Sequence, residues 1–276
     1  MNRQTLRVLK ASLSMLRAVF GVLVISVTIN NAVAQQETAE QKGLRIAQEA
    51  DRRDQGFGDS KSDMIMVLRD SYGTEAKRLL RTRTLEQMDD GDKTLIIFDS
   101  PADVKGTAML SFTHKIGSDD QWLFLPEIQR VKRISQSNKS GPFMGSEFAY
   151  EDMSSQEVEK YTYRYLRDEL LDGNECFVIE FDPVDKKSGY HHQLVWIDKT
   201  HFYAHKVDFY DRKNTLLKTL RMTEYKLYLE KFWRAANYSM VNHQSGKSTV
   251  LDWQNITFNN GYTDKDFSKN ALKKAR

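Results

Sequence analysis

The feature that most restricts the fold of this chain is a run of short apolar segments, spaced by turn residues from residue 64 to residue 258. Met64–Leu68, Ala76–Leu85, Thr94–Phe98, Thr107–His114, Trp122–Leu125 and Ile128–Ile134 read as strands. The pattern resumes at Tyr161–Leu166, Cys176–Phe181, Gln193–Ile197, Phe202–Tyr210, Leu217–Tyr225, Ala236–Asn242 and Thr249–Phe258. Asp90-Gly91, Asp172-Gly173, Ser188-Gly189 and Ser245-Gly246-Lys247 supply turns. Consecutive hairpins in this number favour an antiparallel sheet that curls or closes, because a flat open sheet so wide is rarely stable. Met64–Leu68 and Leu95–Phe98 are apolar on both alternations and need cover on both faces. Short helices near residues 40–53 and around residues 147–160 would form that lid. An ordinary sandwich core fits the same pattern, and pattern alone does not separate the two. With 4 Pro, 14 Gly, no linker and no fixed repeat, residues 35–276 read as one mainly β domain.

The N-terminus sets the expected compartment. Arg3, Arg7, Lys10 and Arg17 precede the apolar run Ala18–Ile25, which extends through Val27 and Ile29. Ala32-Val33-Ala34 then places small residues where a signal peptidase reads, so residues 1–34 are expected to be a signal peptide cleaved after Ala34, with periplasmic localisation. The run falls short of the roughly 20 residues a spanning helix needs. An uncleaved anchor is the alternative. No cysteine follows the run, which argues against a lipid-anchored N-terminus.

Removing the leader changes the charge balance. The chain has 41 basic and 38 acidic residues; without the four leader cations 37 remain, a net charge near −1. That balance lacks the basic footprint of a nucleic-acid binder. Cys176 is the sole cysteine, so no intrachain disulfide forms. A chain of 276 − 34 = 242 residues buries a large core without staples. Within its strand, Cys176 reads as a buried, inert thiol.

Motifs for chemistry are weak. Ser245-Gly-Lys-Ser-Thr249 lacks the upstream glycine of a phosphate loop, since Val241 holds that position, and it reads as a hairpin turn. Adjacent His191 and His192 should point to opposite faces of a strand, so at most one could join a shared site. His201 and His205 are widely spaced for chelation, and no HExxH is present, so no metal is assigned. There is no Gly-x-Ser-x-Gly elbow, Asp89-Asp90 and Asp119-Asp120 read as solvated turns, and no catalytic residue is assigned.

The most distinctive stretch contains Trp122-Leu-Phe-Leu-Pro126, Arg130-Val-Lys-Arg-Ile134 and Gly141-Pro-Phe-Met-Gly-Ser-Glu-Phe-Ala-Tyr-Glu-Asp152. Physically it is an aromatic strand, a basic strand, an apolar loop and an acidic helix start. Glu147, Glu151 and Asp152 would offset a helix macrodipole or pair with Arg130 or Arg133. A loop this apolar must pack against something or cover a ligand.

The stretch resembles the signature of the bacterial outer membrane lipoprotein-sorting protein family, relatives of the periplasmic carrier LolA. On that resemblance Arg130, Arg133, Gly145, Glu147, Glu151 and Asp152 are motif residues, with Glu147 where the family shows Asp. The likeness extends to Asp266-Phe-Ser-Lys-Asn-Ala-Leu272. It implies a LolA/LolB-like fold, an incomplete antiparallel β-barrel with a few helices covering the concave face. It further implies a non-enzymatic carrier of a lipid or acylated lipoprotein that needs no cofactor. Some relatives look like partners of RND-type, MMPL-like exporters. A non-carrying accessory protein of such an inner-membrane transporter is therefore the alternative. The carrier's acyl-binding residues do not map onto positions here. Trp122, Phe124, Phe143, Met144, Phe148, Tyr150 and Trp196 are the candidate cavity lining, with ordinary core packing as the alternative for each. A carrier requires an unfilled apolar hollow. An accessory protein requires a filled interior and an exposed apolar patch, and an enzyme requires converging titratable groups.

Overall fold

Every expected strand segment is realised, and alternation along the strands gives one sheet two differently used faces. The computed structural model describes residues 36–274, so the expected signal peptide and its cleavage point lie outside the described residues. The strands are β1 (Asp59–Arg69), β2 (Glu75–Leu85), β3 (Lys93–Ser100), β4 (Ala108–Phe112), β5 (Asp120–Leu125), β6 (Arg130–Arg133) and β7 (Tyr161–Leu171). They continue as β8 (Asn174–Pro183), β9 (Tyr190–Asp198), β10 (Ala204–Asp211), β11 (Leu216–Tyr228), β12 (Phe232–Asn242) and β13 (Ser248–Phe258). Their spatial order is β6-β5-β4-β3-β2-β1-β13-β12-β11-β10-β9-β8-β7, so among the described residues only the β1–β13 pair joins strands distant in sequence. All neighbours run antiparallel, as in Met64 opposite Trp253 and Val178 opposite Trp196. The edges β6 and β7 do not pair, and the barrel is incomplete.

Curvature follows from the core. Leu123 of β5, Met64 of β1 and Tyr163 of β7 share one buried cluster, which strands from opposite ends of a sheet can do only if it curls. This concave face takes alternate residues such as Ile96, Phe98, Ile179, Val195 and Ile197. The intervening residues face outward. Leu95, Ile97, Leu110, Trp122 and Phe124 form a second cluster with Phe267 and Leu272, the latter on the short helix α2 (Lys269–Lys274). Cys176, Val178 and Trp196 form a third. Burial pushes the Cys176 thiol up to about 11, which leaves it protonated and unreactive.

The lid has one helix rather than two. Helix α1 (Ala39–Asp54) starts at a capping box in which Gln41 N donates to Thr38 Oγ1 and Thr38 N donates to Gln41 Oε1. It buries Ile46 and Ala47 in the concavity. Gly43 lets it cross β7 closely, because a Cβ there would lie 2.9 Å from the Tyr165 amide nitrogen. The helix expected around residues 147–160 is absent; short 3₁₀ turns at Tyr150–Met153 and Val158–Lys160 replace it. Ser154 and Ser155 lie between those turns, and Ser155 Oγ donates to Glu157, a local bond of the kind that competes with helix. Ser245-Gly246-Lys247 is the β12–β13 hairpin turn, with Gly246 at φ +71°. Among the described residues no helix is long and apolar enough to cross a membrane.

Candidate functional site

The concave face is divided between a bound loop and an open cavity. The loop is the distinctive stretch itself, and it is held by side chains from across the sheet. Lys218 of β11 donates to Asp152 Oδ2 at 2.6 Å and to the Glu147 carbonyl at 2.8 Å. Both members of that ion pair are buried, with side chains 4% and 8% exposed. Tyr190 Oη of β9 donates to Asp152 Oδ1, and Asn242 Nδ2 of β12 donates to Glu147 Oε2, each at 2.7 Å. The Glu147 amide donates to Thr249 Oγ1 of β13, and Gln121 Nε2 of β5 to the Tyr150 carbonyl. Glu151 accepts from Ser188 Oγ and the Gly189 amide, and burial raises its carboxyl above the usual range. Phe143, fully buried, packs 5.8 Å from Phe98 and 5.7 Å from Tyr150.

The motif acids therefore tie the loop to the sheet interior and not to the basic edge strand. Arg133 pairs with Asp120, and Arg130 and Arg133 lie exposed on β6. The sequence showed the charges; the partners, on β9, β11 and β12, came together only on folding.

Beside the loop, under the C-terminal half of α1, lies a cavity of about 720 Å³. Its apolar wall includes Phe181, Val195, Ile197, Met222, Ala235 and Tyr238. Its polar end carries Asp51, Asp92 and Glu157, none ion-paired among the described residues. Burial raises all three carboxyls, Asp92 to about 7. Tyr203 stacks on Tyr225 at 3.7 Å near the rim, beside Trp233.

None of the seven candidate lining residues borders this cavity. Phe143, Met144, Phe148 and Tyr150 reach the concave face but fill it as part of the loop. Phe148, Gly145 and Glu147 border a second hollow of about 640 Å³ on the loop's other side. Trp122 and Phe124 lie on the outer face beneath α2, with Lys269 Nζ 4.6 Å above the Trp122 ring. Trp196 is also outward, donating to Glu169 Oε1 at 3.0 Å. Strand parity separates Trp122 and Phe124 from Leu123, and their aromatic character gave no sign of which face was concave. Residues that do line the cavity, such as Val195 and Ile197, are legible as strand residues only.

The histidines are dispersed, apart from one pair. His205 Nε2 lies 3.1 Å from Asp198, and His201 stacks beside Tyr203 at the cavity rim. His191 and His192 do not point to opposite faces, because a register shift between β9 and β10 breaks the alternation there. Among the described residues no group of three or more His, Cys, Asp or Glu is close enough to hold a metal ion.

Known proteins place this arrangement. A family model described only as an uncharacterized protein matches residues 90–274. The crystal structure of an outer membrane lipoprotein-sorting protein domain from Vibrio parahaemolyticus is 55% identical, with TM-score 0.84, covering 85% of this chain and 99% of that one. A DUF1329 family protein from Desulfovibrio piger is 30% identical, with TM-score 0.80 and the same coverage. A LolA superfamily protein from Nitrosomonas europaea, at 23% identity and TM-score 0.67, covers 83% of this chain and 98% of that one and shares the fold. No curated protein matches. With 55% identity across 99% of the Vibrio domain, the chain belongs to the family of that outer membrane lipoprotein-sorting protein domain, and it shares its fold with the LolA superfamily protein.

Proposed function

We propose that this protein is a periplasmic, non-enzymatic carrier that holds the acyl portion of a lipid or acylated lipoprotein in the cavity beneath α1. One observation carries the reading: about 720 Å³ of the concavity is left unfilled, although the loop supplies four large apolar side chains to fill it. That volume lies in the range of small-molecule sites. Each methylene buried there contributes ~0.8 kcal/mol, so a long acyl chain would be held without covalent chemistry. Its polar end would meet Asp51, Asp92 and Glu157 and the aromatic rim. An accessory protein without cargo calls for a filled interior, so the open cavity favours the carrier. An RND-type transporter remains the class of inner-membrane partner that the family resemblance implies.

Native mass spectrometry of the protein purified from its own periplasm tests this. Lipid or acylated peptide is expected to co-purify in a one-to-one complex. A bare protein that also fails to take up fatty-acyl probes, or one that hydrolyses the bound ester, overturns the carrier reading.

A further inference from the structure

The outer face of β8–β10 bears two imidazoles brought together by a defect in the ladder. Tyr210 pairs with His192 while Asp211 pairs with Tyr190, so His191 is the extra residue of a β-bulge. The bulge cancels the alternation that would have separated the two side chains. Their Nδ1 atoms lie 3.0 Å apart, with the rings at 82° to each other. His192 is braced by Tyr210, stacked at 4.3 Å and 20°.

That separation matches a chelate bite. Imidazole nitrogens bind late divalent metals at about 2.0–2.1 Å, and two nitrogens 3.0 Å apart then subtend close to a right angle at the metal. A right angle is the cis angle of tetragonal Cu²⁺ sites. A carboxylate stands nearby. The β8–β9 ladder runs to Phe181 opposite Gln193, so the next step sets Asp182 opposite His192. By alternation from Val178 and Trp196, both point outward. Directly opposed Cβ atoms lie about 4.5–5.5 Å apart, and Arg164 of the neighbouring strand is bound to Glu180, which leaves Asp182 unpaired among the described residues. As placed, the carboxylate does not complete a three-ligand set; rotation about its side-chain bonds would bring it in.

We propose that His191 and His192 form a bidentate surface site for a divalent late transition metal, Cu²⁺ the most tightly held, with Asp182 as an adjacent anionic ligand. The site faces away from the cavity and does not depend on the carrier reading. A hydrogen bond between two neutral imidazoles gives the same separation, so metal binding itself must decide. Tag-free protein titrated with CuCl₂ against a glycine competitor is expected to bind one equivalent, with electron paramagnetic resonance showing coordination by two nitrogens. His191→Ala and His192→Ala should each weaken binding at least tenfold, and Asp182→Asn by a smaller factor. His191→Gln serves if the alanine variant folds poorly. No stoichiometric Cu²⁺ binding by the unaltered protein, or binding unchanged in both histidine variants, overturns the site.

Discussion

Lys218 and Asp152 are the residues whose charges matter most to the interior, because both side chains are largely withdrawn from water and each satisfies the other. Removing one partner strands a buried charge, so Lys218→Met or Asp152→Asn should each lose about 3–5 kcal/mol in urea unfolding. The double variant should lose less than the sum, because the two share one interaction. Equal, additive losses would show that the pair is not coupled. Asp92 works in the opposite sense. Burial without a counter-charge raises its carboxyl to about 7, from 3.8 in the open chain. Folding thus favours the protonated form, and that stabilisation is full below pH 4 and lost as pH rises through 7. Asp92→Asn keeps a neutral group at every pH. It should exceed the parent in stability by ~2–4 kcal/mol at pH 8 and match it below pH 4. Denaturant midpoints at the two pH values check this, and a pH-independent difference would count against it.

At the scale of elements, α1 and the loop cover the concavity by different means. The loop is fixed by partly buried polar bonds from β5, β9, β11, β12 and β13. Helix α1 buries Ile46 and Ala47, leaves Leu44 39% exposed, and adds cation–π contacts of Lys42 with Tyr165 at 3.4 Å and of Arg53 with Phe202 at 4.2 Å. Contacts of this kind contribute ~0.5–2 kcal/mol each, less than the cost of breaking a buried pair, so α1 is expected to open before the loop does. Gly43→Val tests the seat of that helix. A side chain there meets the Arg164 and Tyr165 backbone at 2.9–3.1 Å, atoms that cannot turn aside. Hydrogen exchange should speed up in α1 while β11 and β12 keep their protection. Uniform acceleration across the sheet would mean that α1 is integral to the core.

For the whole molecule, the central quantity is space left empty in a sheet long enough to have closed on its own side chains. Ala235, 4% exposed, faces the cavity from β12. Ala235→Trp should occupy the hollow from within, abolish co-purified lipid and leave the circular dichroism spectrum unchanged. Retained lipid in a folded variant would place the cargo elsewhere, the hollow bordered by Phe148 and Lys218 being the next site to probe.

The strands, their antiparallel pairing and the helix near residues 40–53 were legible because they rest on local periodicity and turn chemistry, which neighbours in sequence decide. The loop's apolar crowding, Phe143 to Tyr150, was legible as a demand for cover. Its destination was not, since Lys218, Asn242 and Thr249 lie 66 to 102 residues away from their partners in it. Parity made two classes of residue along each strand, but only curling decided which class faced inward; Trp122 and Phe124 went out, Val195 and Ile197 went in. A one-residue bulge at His191 reversed the rule locally, with no mark in the sequence. Sequence alone determined that this chain would form a broad antiparallel sheet. The hollow belongs to the tertiary structure, because emptiness is a property of how distant surfaces meet and no single segment encodes it.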